Sequence, residues 1–217
     1  MSPTMLYDIL LATGETLYMV LISTCSAALL GLPLGTLLFV SRDIRPHRLM
    51  NRAISGIINF SRSIPFIILL VALIPLTRFL IGTSIGLHAA IVPLTLGAAP
   101  FFARLVDNAY QTLPHGLFDA ADAMGATTRQ IIQHILLPEA RPALIQAVTV
   151  TATTLVNYSA MAGTVGGGGL GDLAIRYGYQ RFDVTVMLST VFILVMIVQC
   201  IQMFGDKLSR QLSQGVV

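Results

Sequence analysis

Gly82-Thr83-Ser84-Ile85-Gly86 has the G-x-S-x-G spacing of a nucleophile elbow, and His88 follows close behind. In an α/β hydrolase that spacing sets a serine on a sharp strand-to-helix turn, ready for acyl transfer. The chemistry also needs a carboxylate to orient the histidine, and none lies near in sequence. Gly166-Gly167-Gly168-Gly169-Leu170-Gly171 matches G-x-G-x-x-G, the phosphate-cradling turn of dinucleotide folds. No strand pattern precedes it and no Lys-Ser/Thr pair follows, so a nucleotide site there lacks its context. His47, His88, His115 and His134 show no metal-ligand spacing, and Cys25 and Cys200 sit inside apolar runs. The expectation is a chain with no catalytic residue and no metal. A serine hydrolase within the membrane is the alternative from another class.

Other polar side chains form a pattern. Gln146, Thr149, Thr153 and Asn157 follow i, i+3, i+7, i+11, one continuous helix face, and Tyr158 and Met161 continue it near its outer half. Thr in a membrane helix often bonds to its own backbone, and Asn often joins neighbouring helices. The other reading is a face lining a water-accessible path. Met161 carries a flexible thioether that can fill irregular space and seal such a passage. Arg62 is the one ionisable side chain clearly inside an apolar run, about 14 Å in if its helix starts at Ala53. An arginine at that depth is costly and marks a functional site, unless its long stem reaches back to the interface.

Composition says what kind of element must hold these side chains. Hydrophobic residues make up 55% of the 217 and charged residues 11%, against about 25% charged in a typical soluble domain. Mean hydropathy is +0.79. A soluble enzyme, a disordered chain and a disulfide-stapled secreted domain are excluded, and the bilayer is the solvent. The net charge of +3 does not point to nucleic acid, because the arginines cluster between apolar runs rather than along one stripe.

Thr16 to Ser41, Phe79 to Ala103, Pro142 to Gly171 and Val184 to Gly205 carry no charge. Each exceeds the ~20 residues needed to cross the hydrocarbon core. Ala53 to Thr77 is apolar except for Arg62. The expected fold is all-α, one membrane domain over residues 1–217. Its five spans fall at about 16–41, 53–77, 79–103, 142–165 and 184–205. The first flank is acidic (Asp8, Glu15), unlike a cleavable signal. Arg42, Arg45, Arg48 and Arg52 crowd the first loop, which the positive-inside rule makes cytoplasmic. The N-terminus then lies outside and the C-terminus inside. Gly31–Gly35 and Gly82–Gly86 have the spacing that permits close helix approach. Prolines 33, 65, 75, 93 and 100 fall within spans and predict kinks.

Residues 104–141 form the longest polar stretch, on the cytoplasmic side. Leu117, Ala121 and Met124 recur at helical spacing, Gly125 suits a helix end, and Thr127 with Gln130 has capping-box spacing. Ile131, Ile132, Ile135 and Leu136 make an apolar stripe that Pro138 is expected to end. This predicts two short amphipathic helices meeting at a glycine. Such a pair either lies on its own bundle or headgroups, or docks into a soluble partner.

Asp119-Ala120-Ala121, then Gly125, then Ile135-Leu136-Leu137-Pro138 resembles the EAA signature of ABC importer permeases: E-A-A, three residues, G, nine residues, I-x-L-P. Asp119 stands where the family has Glu. Arg62-Ser63-Ile64-Pro65-Phe66-Ile67-Ile68-Leu69-Leu70, Ala89-Ala90-Ile91-Val92-Pro93-Leu94-Thr95 and Tyr158-Ser159-Ala160-Met161 are similar to the methionine-uptake permeases of that group, as is Gly82 to Gly86. The resemblance covers nearly the whole chain. It implies a type I importer permease core in a bacterial inner membrane, working as a homodimer. It further implies two cytoplasmic ABC ATPase subunits that bind ATP and Mg, and an external substrate-binding lipoprotein. Methionine would be the cargo, with another amino acid or a small peptide as the alternative. Asp119, Ala120, Ala121, Gly125, Ile135, Leu137 and Pro138 would be the ATPase-coupling loop. The resemblance also favours the path reading for Gln146, Thr149, Thr153, Asn157, Tyr158, Met161 and Arg62. This chain itself would bind no cofactor, and its other contact would be membrane lipid.

Overall fold

Lipid offers a peptide backbone no hydrogen-bond partner, so long apolar runs close their own bonds as helices. The computed structural model describes residues 3–213, and every regular element in that range is helical. The first two and last four residues of the expected domain lie outside the described residues. Helix α1 runs Pro3–Phe39 and ends in a π-helical turn, Val40–Ile44. Helices α2 (Arg48–Ser63), α3 (Phe66–Ala72) and α4 (Ile74–Ile81) follow, and then α5 (Leu87–Gln111). Short helices α6 (Gly116–Ala123), α7 (Thr128–Ile131) and α8 (Leu137–Glu139) lead to α9 (Arg141–Gly163). Helix α10 (Gly169–Leu173) precedes α11 (Val184–Ser213).

Three stretches are long and apolar enough to cross a membrane: Thr4–Ile44, Leu87–Gln111 and Val184–Ser213, with mean hydropathies of 1.9, 1.7 and 2.5. Helices α2 and α3 together would make a fourth, bent by 100° at their break. Helix α9 is also long, but its Gln146, Thr149, Thr151, Thr153, Thr154 and Asn157 lower its hydropathy. The chain is therefore an all-helical, multi-pass membrane protein.

Two expected spans are cut differently. The run 53–77 is three helices, because Pro65 cannot donate to the preceding turn and Ile64 is extended at ψ 123°. The run 79–103 straddles a bend. Gly82 (φ 83°) caps α4 in the left-handed region, and Gly86 (φ 106°) starts α5. A count of charge-free residues sees neither break.

Helix α5 is the hub. Over half (56%) of its most apolar stretch is buried, against 17% for α11. Its Leu94, Ala98, Ala99, Phe102 and Val106 are sealed between α1 and α9. The close approach of α1 to α5 depends on Gly31 and Gly35. A Cβ on Gly31 would sit 2.6 Å from the Ala99 carbonyl oxygen, and one on Gly35 would strike the Ala103 carbonyl and Val106. The other G-x-x-x-G pair does a different job: nothing lies within 4 Å of a Cβ on Gly82 or Gly86, and both serve the turn instead.

Candidate functional site

The polar stretch between α5 and α9 folds as two short helices around a glycine, α6 and α7. Thr127 Oγ1 accepts from the Gln130 amide at 3.4 Å while Gln130 Oε1 accepts from the Thr127 amide at 2.8 Å, a complete capping box. Gly125 has φ 72°, which lets the chain reverse between α6 and α7. One face of the loop lies on its own bundle. Phe118 and Ala121 are buried with Ile131 and Leu136, and the Phe118 ring packs 5.6 Å from Phe39 at the end of α1. The buried positions are offset from the expected stripe: Leu117 and Met124 are exposed, 38% and 81%. Asp119, Ala120 and Gly125 share that outward face, whereas Ala121 is buried. Ile135, Leu137 and Pro138 are half-buried.

Pro138 does not end a helix. The π-helical turn Ile132–Leu136 lets the Leu137 amide donate to the Ile132 carbonyl, and Pro138 opens α8 at a position needing no donor. The chain then passes through Ala140 into α9.

Above the loop sits an ionic network that sequence reading missed. Asp107, fully buried on α5, is 3.2 Å from Arg42 Nη2 and 3.1 Å from Arg104 Nη1, and it also accepts from Gln111 Nε2 at 3.1 Å. Arg104 reaches on to Asn59 Oδ1 (2.7 Å) on α2. Arg45 pairs with Asp122 of α6 at 3.2 Å. The available signal was local: Arg104, Asp107 and Gln111 share one helical face, but Arg42 joins from another helix.

The expected path residues divide. Gln146 donates to Asp206 of α11 at 3.0 Å. Thr149 bonds to its own backbone at Ile145 and packs against Gly205 of α11. Thr153 bonds to Val150 O. Asn157 and Met161 are exposed. Tyr158 stacks on Phe66 at 4.2 Å with rings nearly parallel. Arg62 stands at the last turn of α2, its guanidinium over the Phe101 ring at 5.9 Å. Arg62, Phe101, Phe66 and Tyr158 all line one cavity of about 220 Å3 at the α2–α3 bend.

The glycine-rich turn is held from α1. The Gly169 amide donates to Glu15 Oε2 at 2.7 Å and the Leu170 amide to Thr16 Oγ1 at 2.9 Å. A carboxylate of the chain thus takes the position a phosphate would need. Nearby, Arg176 donates to both Asp172 oxygens at 2.9 and 2.8 Å, which raises its guanidinium above its ordinary value. Ser84 makes no hydrogen bond to His88, whose ring stands edge-on to Tyr18 at 5.8 Å. No strand or nucleophile elbow surrounds it among the described residues. No group of three or more His, Cys, Asp or Glu is placed to hold a metal among the described residues.

Known proteins share this arrangement. Residues 15–216 match the family described as binding-protein-dependent transport system inner membrane component. A probable D-methionine transport system permease of Vibrio cholerae is 53% identical over 94% of this chain and 92% of its own length. A protein of the same description from Pasteurella multocida is 48% identical, over 97% and 98%. A solved chain from inward-facing conformations of the MetNI methionine ABC transporter (SeMet-soak crystal form) is 50% identical and superposes with a TM-score of 0.96, covering 98% of this chain and 99% of that one. A chain of an amino acid ABC transporter crystallised with histidines has the same fold, with a TM-score of 0.76 at 16% identity over 96% and 94%.

Proposed function

We propose a transport role on one premise: the chain belongs to the family of binding-protein-dependent transport system inner-membrane components. It is the permease subunit of an ATP-driven methionine importer in a bacterial inner membrane. The similarity to D-methionine permeases runs nearly end to end, which supports the cargo. Two copies form the path, two ABC ATPase subunits bind ATP and Mg on the cytoplasmic side, and an external lipoprotein delivers substrate. The chain itself supplies no covalent chemistry. Its task is to alternate between states that the ATPase biases.

The observation that carries this reading is the inner-face loop. Leu117, Asp119 and Met124 face outward around a left-handed glycine, while Phe118 anchors the same helix to α1. Such a helix couples a soluble partner to the bundle: one face docks and the other pushes. Asp119, Ala120, Ala121, Gly125, Ile135, Leu137 and Pro138 form this coupling element. Thr153, Asn157, Tyr158, Met161 and Arg62 line the path, and Gln146 and Thr149 hold α9 to α11 beside it. Met161, exposed on α9, is the candidate gate. The domain crosses the membrane five times, with α2, α3 and α4 together making one broken crossing. The N-terminus lies outside and the C-terminus inside.

The test is uptake of labelled methionine by cells that lack their own methionine permease, with and without this chain, co-expressed with the ATPase and binding protein. ATP-dependent uptake restored by the chain is the expected result. A chain that assembles and restores uptake of another amino acid or a peptide, but not methionine, would overturn the cargo.

A further inference from the structure

We propose that the cavity at the α2–α3 bend is a binding site for the carboxylate of an amino acid in transit, with Arg62 as its anion partner. The identity of the ligand as methionine rests on the import reading above.

The Arg62 guanidinium makes no hydrogen bond and no ion pair among the described residues; it lies over the Phe101 ring. It differs in this from Arg42 and Arg104, which sit on buried Asp107. The cavity it lines has no acidic residue in its wall. A guanidinium in a spanning region is expensive unless something pairs with it. Stacked on an aromatic ring, it keeps its planar N–H edges free, and those edges match a carboxylate bidentately.

The remaining wall suits a thioether. Phe66 and Tyr158 present a stacked aromatic pair, Leu69 adds an apolar side, and sulfur packs favourably against ring edges. Gly97 keeps that wall open, since a Cβ there would come within 3.3 Å of the Phe66 ring and Leu69. The Tyr158 hydroxyl has no hydrogen-bond partner among the described residues, and Ser61 stands beside Arg62. At about 220 Å3 the space falls below the ~300–1,000 Å3 of drug-sized pockets and fits one small molecule.

The wall also predicts selectivity. With one cation and no carboxylate, the site holds the ligand's carboxylate firmly and its ammonium loosely. Chirality at Cα then matters little, and loss of the carboxylate matters greatly.

The experiment uses the permease–ATPase complex in phospholipid-free detergent, without nucleotide or binding protein, and measures binding of labelled methionine. D- and L-methionine and 4-(methylthio)butanoate should compete, and methioninol, which lacks the carboxylate, should not. Arg62→Gln should weaken binding about tenfold or more, the span of a charge-assisted hydrogen bond. Arg62→Lys should fall between, and Tyr158→Phe should weaken binding less. Co-purification of the ATPase reports assembly. Should Arg62→Gln fail to assemble, the methioninol comparison on the wild-type complex decides. Equal competition by methioninol, or an assembled Arg62→Gln complex that binds as the wild type does, overturns the site; the latter is also the outcome if Arg62 holds a phospholipid phosphate instead. In parallel, proteoliposomes with ATP and binding protein test import. Wild-type vesicles that import methionine while the binding assay fails overturn the site alone. Vesicles that import none overturn the import reading and this ligand with it.

Discussion

At the scale of single residues, buried charge and left-handed backbone carry the largest expected effects. Asp107 is sealed from solvent between Arg42 and Arg104. Asp107→Asn should destabilise the detergent-solubilised protein by about 1.5–3 kcal/mol, because the buried Asp107 is the charged acceptor that Arg42, Arg104 and Gln111 share. Asp122→Asn removes only the exposed pair with Arg45 and should cost less than about 1 kcal/mol. Thermal unfolding of the two variants side by side checks the contrast. Glu15→Ala removes the acceptor of the Gly169 amide and should cost about 0.5–2 kcal/mol, as loss of a helix cap does. The sequence could not announce that cap, since Glu15 and Gly169 lie 154 residues apart. The same limit hid Asp107, whose partner Arg42 comes from α1. Gly125 was legible, because a glycine between two helical patterns, followed by a capping box, marks the end of one helix and the start of the next.

At the scale of elements, the loop and the α1–α5 contact make opposite demands on glycine. At Gly125 there is open space, with nothing within 4 Å of an added Cβ. The cost there is conformational, about 1 kcal/mol or more for a residue held left-handed. Gly125→Val should therefore insert and fold but bind the ATPase poorly, or hydrolyse ATP without moving methionine. Asp119→Asn should do less. ATPase co-purification followed by coupled uptake in proteoliposomes measures both, and normal coupled uptake in Gly125→Val would remove the loop from the coupling role. At Gly31 and Gly35 the demand is space, so Gly31→Leu should leave little folded protein by size-exclusion chromatography. Sequence spacing marked Gly31–Gly35 and Gly82–Gly86 alike. Only the neighbours and the φ values separate a packing pair from a turn pair. Pro138 shows the converse: a proline read as a stop became a start once the π-helical turn supplied the missing register.

At the scale of the whole molecule, the arginines of residues 42–52 carry the proposal that their loop faces the cytoplasm. With Cys25 and Cys200 replaced, a cysteine at Gln180 should react with an impermeant thiol reagent applied from outside, and one at Gly116 should not. Gln180 and Gly116 are both exposed, so protection reports the membrane rather than burial. The reverse pattern would invert the orientation and place the loop on the wrong side for an ATPase. The all-helical class and the two short helices around Gly125 were readable because hydropathy and capping signals act along the chain. The division of the second and third spans was not, because it depends on two glycines and a proline at particular angles.

The contact of Gly31 and Gly35 with the carbonyls of Ala99 and Ala103 also bears on how force would travel. A joint made of side chains can yield by switching rotamers. A joint made of backbone against backbone has no rotamers to switch. A push on Phe118 reaches Phe39 at one end of α1 and Tyr110 near the end of α5 through the same aromatic cluster. The two helices, locked along their length, then have no soft degree of freedom in which to lose the stroke. They would tilt together like the arms of a bolted frame, leaving displacement to α2 and α3, which meet α5 through side chains.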